Sequence, residues 1–238
     1  MSITSYAYKT KNRESDVVKY DSCKFLKGIP EPSDIVYDKE TGNYYIVSDH
    51  GILFECKRSG EIIRRAKIEG IDFEGVELKG DYLYVSDEKP RKVYKYRKRD
   101  LKIVGIYNVS WQGGRNKAFE SITYNYYKKC FVLIAEEPAT VIEYDSVFRE
   151  IGRYTFSKSV SVSGARWYNN EIYILSSSAS QIYRCEPQGY SVNEVYNLAI
   201  IDPEGIAFDD KGAMVITSDN NQKIYYFKNL HKHTKNQK

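Results

Sequence analysis

The sequence predicts an all-β chain folded as a five-bladed β-propeller of four-stranded antiparallel blades, and three observations predict it. A short phrase carrying an acid or a serine returns five times, each time just before an apolar run. The returns are spaced 41, 46, 43 and 41 residues apart, which is the length of a propeller blade. The composition leans the same way, because 23 Tyr residues suit strands whose aromatic rings pack across pleated faces.

The repeated phrases are Glu31 to Tyr37, Asp72 to Leu78, Ala118 to Tyr124, Ser161 to Trp167 and Asp202 to Phe208. Aligned, they put Ser33, Glu74, Glu120, Ser163 and Glu204 in one column. An apolar strand follows each column residue, and then a turn such as Asp38 to Gly42 or Lys79-Gly80-Asp81, built from residues that tolerate turn dihedrals. Second strands run over Tyr44 to Val47, Tyr82 to Val85, Cys130 to Ile134, Ile172 to Leu175 and Met214 to Thr217. Third strands, such as Leu53 to Lys57 and Ile182 to Cys185, alternate apolar and polar residues, as half-buried strands do. Fourth strands are weaker and lie near Ile62 to Ile68, Ile103 to Val109, Arg153 to Phe156 and Glu194 to Ala199.

The fifth repeat ends after its third strand, whereas a spare strand, Val17 to Tyr20 continuing through Phe25, precedes the first repeat. The N-terminal segment is therefore expected to complete the last blade and close the ring, which removes two exposed sheet edges. A sixth blade would need roughly 40 further residues. Residues 1–230 read as one domain, and the basic stretch 231–238 as a disordered tail.

A formal net charge of +4 with basic residues spread along the chain gives no reason to expect nucleic acid as a partner. No run is apolar and long enough for an export signal or a membrane span, so the expectation is a soluble, cytoplasmic monomer with no membrane partner. Cys23, Cys56, Cys130 and Cys185 lack the paired spacing of zinc or redox motifs and read as free thiols.

The inner strand of a propeller blade lines the central channel, so one position in five repeats converges around the axis. Glu74, Glu120 and Glu204 then face one another with Ser33 and Ser163 between them. Carboxylates crowded in this way must bind protons or share a cation, and calcium, which takes six to eight oxygens in flexible geometry, suits the set better than magnesium. The competing reading gives each glutamate a backbone N–H partner and leaves the channel to water. A small molecule or a protein is the expected ligand on this face.

The second strands end in polar clusters that form another column, Asp49, Asp87, Glu136, Ser177 and Asp219, opening on the same face. Such residues equally serve as turn caps. The 46-residue interval marks an insertion at Ser110 to Lys117, where Trp111 offers a stacking surface and Arg115 and Lys117, with Lys89 and Arg91, offer charge for an anion; an ordinary solvated loop is the alternative. His50 beside a glycine reads as a turn residue. No Gly-x-Ser-x-Gly elbow occurs, so a serine nucleophile has no support. Glycoside hydrolysis would need two separated carboxylates with distinct roles, which a converging ring does not suggest.

With Val85-Ser86-Asp87-Glu88 and Asp202-Pro203-Glu204-Gly205-Ile206-Ala207, the repeats resemble the SdiA-regulated family of bacterial proteins, which form five-bladed propellers, over Asp16 to Leu230. The order Ser, Glu, Glu, Ser, Glu is also similar to that of the calcium-activated nucleotidases, or apyrases. That likeness implies calcium in the channel on Ser33, Glu74, Glu120, Ser163 and Glu204. It also implies a phosphohydrolase as an alternative to a binding module, and a metal-free interaction scaffold is the third reading.

Overall fold

The computed structural model describes residues 17–67, 70–112, 118–158, 160–228 and 230. The tail 231–238 and the basic loop residues Arg115 and Lys117 lie outside the described residues. Two short strands, β1 (Val17–Val18) and β2 (Ser22–Phe25), come before the first blade. That blade is β3 (Pro32–Tyr37), β4 (Tyr44–Ser48), β5 (Ile52–Cys56) and β6 (Ile62–Arg65). The second is β7 (Phe73–Lys79), β8 (Tyr82–Asp87), β9 (Lys92–Arg97) and β10 (Lys102–Asn108). The third is β11 (Phe119–Asn125), β12 (Cys130–Ala135), β13 (Thr140–Tyr144) and β14 (Glu150–Thr155). The fourth is β15 (Val162–Tyr168), β16 (Glu171–Ser176), β17 (Gln181–Cys185) and β18 (Val192–Leu198). The fifth holds β19 (Pro203–Phe208), β20 (Met214–Ser218) and β21 (Lys223–Phe227).

Each blade is an antiparallel meander, and the fifth takes β2 as its outer strand, paired antiparallel to β21 from Ser22↔Tyr226 to Phe25↔Lys223. The expected closing segment divides in two. The Asp21 N–H donates to the Tyr226 carbonyl at 2.8 Å and starts β2 there, while Val17 and Val18 pair in parallel with Asn197 and Leu198 as a fifth strand on the fourth blade. Val18 is buried beside Tyr196 and Leu198, so the same short segment latches two neighbouring blades.

Five apolar clusters hold the ring, each between adjacent blades, such as Ile35, Ile46 and Phe54 against Ala207 and Val215. The innermost strands β3, β7, β11, β15 and β19 touch in sequence and β19 meets β3 again. Their approach is close enough to exclude side chains at some points. A Cβ on Gly75 would lie 2.6 Å from the Ile122 amide nitrogen, and one on Gly205 2.6 Å from the Asp34 Cα, which is why small residues follow the column position. Side chains also stitch one inner strand to the next. Asp34 accepts the Val76 N–H at 3.0 Å, Ser121 Oγ accepts the Ala165 N–H at 2.9 Å, and Thr123 donates to Glu77 at 3.1 Å. Among the described residues no helix is long and apolar enough to cross a membrane.

Candidate functional site

Each inner strand has a register shift at its column residue. The pairing passes from Pro32 to Asp34, Phe73 to Gly75, Phe119 to Ser121, Val162 to Gly164 and Pro203 to Ile206. Ser33, Glu74, Glu120, Ser163 and Glu204 are thus bulged residues, left out of the ladder in all five blades. A β-bulge re-aims the side chain it carries, so what recurs in the sequence is a backbone device repeated around an axis. Four of the five residues, Glu74, Glu120, Ser163 and Glu204, line one cavity of about 320 Å³. Ser33 is not among the lining residues; it is buried, its hydroxyl donating to Asp49. Ser163 Oγ donates to the Pro203 carbonyl at 2.7 Å. Both serine hydrogens are therefore spent on other acceptors, which leaves oxygen lone pairs available to a cation.

Asp72, Glu88, Lys89, Glu136 and Ser177 line the same cavity. Asp72 is set there by Asp87, whose carboxylate accepts the Ile71 and Asp72 N–H groups at 3.0 and 2.9 Å. Asp87 is buried and acts as the turn cap that its place after a strand allowed. Glu88 accepts the Ala118 N–H at 2.6 Å and anchors the end of the inserted loop. As a result, carboxylate oxygens of Asp72, Glu74 and Glu88 lie within 4.8 Å of one another. Sequence reasoning included Glu74 and not its two companions. Asp72 opens its repeated phrase two residues before the column, and Glu88 follows the capping aspartate, so neither falls in the two columns that the alignment singles out.

The glutamates are held far from their ordinary protonation behaviour. Burial, then the charge of Glu120, pushes the Glu74 carboxyl well up; burial, then Glu88, does the same to Glu120; burial, then Asp219, to Glu204. Glu88 is also raised, chiefly by burial. Carboxyl groups crowded and desolvated in this way favour bound protons or a shared cation. Lys89 supplies the one ammonium among the cavity-lining residues, its Nζ 3.0 Å from Asp72 at the exposed rim.

The other expected face residues separate. Asp49, raised to about 6 by burial, takes the Ser33 hydroxyl. Asp219 is raised by burial and by Glu31 and Asp202, and Glu136 lines the cavity. His50 lies at the surface, 3.0 Å from Glu31. Trp111 is not a free stacking platform. Only 6% of it is exposed, it packs on Phe119, and the Arg153 guanidinium covers its ring at 5.4 Å. Arg91 donates to the Trp111 carbonyl at 2.7 Å and so braces the loop.

One step further down the channel is a group that the column did not anticipate. Arg166 donates to Glu77 at 2.8 Å, to both Asp34 oxygens at 3.1 and 3.0 Å, and to the Ile35 and Ile206 carbonyls at 2.9 and 3.0 Å. All three side chains are buried, and together they plug the channel. The available signal was an Arg in β15 level with Glu77 in β7, where the other inner strands carry Val36, Thr123 and Ala207.

The sequence profile of the SdiA-regulated family matches residues 17–228. The chain belongs to the SdiA-regulated family. No curated protein matches it in sequence. Among solved structures, this family member is similar to glutaminyl cyclase from Myxococcus xanthus, with TM-score 0.70, 14% identity, and coverage of 89% of this chain and 97% of the other. Streptogramin B lyase matches with TM-score 0.58 at 10% identity over 86% and 96% of the two chains. The WD40 propeller domain of Doa1 matches with TM-score 0.52 at 11% identity over 84% and 64%. At such identities the likeness is one of fold, and the site has to be argued from its own residues.

Proposed function

We propose that this member of the SdiA-regulated family binds a divalent cation, calcium by the chemistry of its donors, and presents it at the channel mouth as part of a ligand-binding module. The supporting observation is the gathering of Asp72, Glu74 and Glu88 oxygens within 4.8 Å of one another, in one open cavity that Glu120 and Glu204 also line. Opposite ligands on calcium stand about 4.6–5.2 Å apart, twice the usual oxygen distance, and the 4.8 Å within which Asp72, Glu74 and Glu88 gather lies inside that span. Glu120 and Glu204 continue the ring, and Ser33 and Ser163 add neutral oxygens. The donor set is all oxygen, which suits a hard cation rather than a thiophilic one.

Isothermal titration with calcium and with magnesium, followed by metal analysis of the dialysed protein, tests this. Saturable calcium binding that weakens at least tenfold in Glu120→Gln is the expected result. Heat of binding absent for both ions, with no rise in melting temperature, would overturn it and leave a metal-free scaffold.

A second reading has one observation in its favour. Lys89 at the rim places a positive group beside the cation site, an arrangement able to hold a phosphoryl oxygen between them. Calcium-dependent phosphate release from a nucleotide panel, lost in Glu74→Gln, would support hydrolysis. Binding of calcium without turnover would support the module.

A further inference from the structure

The opposite mouth of the channel is built differently. Four residues past the bulged position the five inner strands carry Tyr37, Leu78, Tyr124, Trp167 and Phe208, four of them aromatic, whereas the bulged carboxylates and serines lie near the strands' other ends. A second cavity of about 610 Å³ opens at this end, with Tyr37, Tyr126, Trp167 and Tyr168 on its walls. The Tyr126 and Trp167 rings stand 5.8 Å apart at 50° and form a notch rather than a closed stack. Tyr126 remains 49% exposed. Tyr168 is backed by Phe208, stacked at 4.3 Å, which fixes its orientation and leaves its other face to the cavity. The Arg166 plug separates this mouth from the carboxylate ring.

Four carboxylates and two ammonium groups line this cavity. Asp38 and Glu40 share Lys98, and Asp209 is engaged by Arg58. Among the described residues Asp210 makes no ion pair; its carboxylate accepts the Tyr37 hydroxyl at 3.2 Å. The walls are therefore aromatic faces, and four carboxylates stand against three cations, Lys39, Lys98 and Arg58, so their net charge is negative. Aromatic faces attract cations through the ring quadrupole, and weakly hydrated organic cations most readily. A bare metal ion would find a single carboxylate, and an anion would be repelled.

We infer that this mouth is a second binding site, specific for an alkylammonium group that seats in the Tyr126–Trp167 notch with its charge towards Asp210. The site is independent of the cation proposed at the other end and needs none of its ligands.

The test uses choline as the probe, with 3,3-dimethylbutanol as its neutral isostere and cellobiose as an aromatic-stacking control, in chelator. The protein has two tryptophans, and Trp111 is buried in the core, so Trp167 supplies the reporting fluorescence. Choline should change that fluorescence saturably, and Trp167→Phe should abolish the change. Asp210→Asn and Tyr126→Ala should each weaken choline binding roughly three- to thirtyfold, the range of one such contact, as followed by titration calorimetry. Both positions are exposed, and unaltered melting curves would show the variants folded. Equal affinity for the neutral isostere, binding of cellobiose without choline, or wild-type choline affinity in both variants would each overturn the assignment.

Discussion

At the depth of Asp34, Glu77 and Arg166 the channel holds two carboxyl groups around one guanidinium. One layer above, Glu74, Glu120 and Glu204 converge with no guanidinium among the lining residues and a single ammonium at the rim. Both layers are desolvated, and in both the carboxyls are raised, Asp34 to about 6 and Glu77 to about 7, by burial that outweighs the pull of Arg166. The difference lies in what completes them. The lower layer carries its cation in the covalent chain, with five donor contacts fixing the geometry. The upper layer has acceptors and one ammonium at its rim, which leaves it open to a cation from solution. A layer paired within the chain is complete in itself and this one is not, although they are built from the same strands.

Removing the internal cation should have the largest effect. Arg166→Met leaves Asp34 and Glu77 buried without a counter-charge, a change that costs about 3–5 kcal/mol. For a chain of this size that is a fall in melting temperature of roughly 6–20 °C, measured by calorimetry. Adding Asp34→Asn and Glu77→Gln should recover roughly half of the loss, because a neutral polar layer no longer strands charge. If Arg166→Met melts within about 2 °C of wild type, the lower layer is not the fixed element described here.

Supplying the external cation should have the next largest effect, in the opposite direction. Calcium at about 100 times its dissociation constant adds about 2.7 kcal/mol, a rise of roughly 5–11 °C. The rise should disappear in Glu74→Gln and persist in Arg166→Met, since the two layers take their charge from different sources. Loss of the calcium response in Arg166→Met alone would show that the layers are one unit.

Much of this contrast could be read in the sequence, and its limits are physical. The column, the blade count and the closure by an N-terminal strand follow from period and turn chemistry, which are local and repeat. The bulges were invisible because a bulge is a matter of pairing, and pairing partners are not adjacent in sequence. Asp72 and Glu88 were missed as ligands because the alignment singles out one residue per phrase, and these two are its neighbours within the phrase and the polar cluster. Arg166 and Glu77 share a level of the repeat but Asp34 does not, and the three come from three blades, so only closure of the ring brings them together. Trp111 read as a platform because its loop is glycine-rich and polar, yet the side chain turned inward onto Phe119.

The pH dependence should divide the layers more finely. A carboxyl whose folded pKa lies above its unfolded value binds more protons in the native state, so stability falls as pH rises between the two values. Glu74, Glu120 and Glu204 are all raised well above 4.5. In chelator the melting temperature should therefore decline from about pH 4 upward, with Asp34 adding to the decline up to about pH 6 and Glu77 up to about pH 7. Calcium competes with the protons of the upper layer alone, so its stabilising increment should grow with pH over the same window. In Glu74→Gln/Glu120→Gln/Glu204→Gln the calcium increment should vanish, and the slope that remains should be shallower, carried by the lower layer together with Asp49, Asp87, Glu88 and Asp219. A wild-type profile flat from pH 5 to 8 in chelator would contradict both.

The smallest effect is expected at the rim. Lys89 is close to half exposed and pairs with Asp72 at 3.0 Å, so its contribution to stability is that of a surface ion pair, within about 1 kcal/mol. Its influence on the cavity runs the other way, because an ammonium beside the carboxylates opposes an incoming divalent ion. Lys89→Ala should leave the melting temperature in chelator nearly unchanged while tightening calcium roughly two- to fivefold, as expected for removing one charge near a solvent-screened site. The same variant should weaken any anion that bridges Lys89 and the bound cation. Calorimetry of calcium with and without inorganic phosphate separates the two effects. If calcium weakens in Lys89→Ala, Lys89 orders Asp72 for the ion instead of opposing it, and the upper layer is less dependent on solution than its bare acceptors suggest.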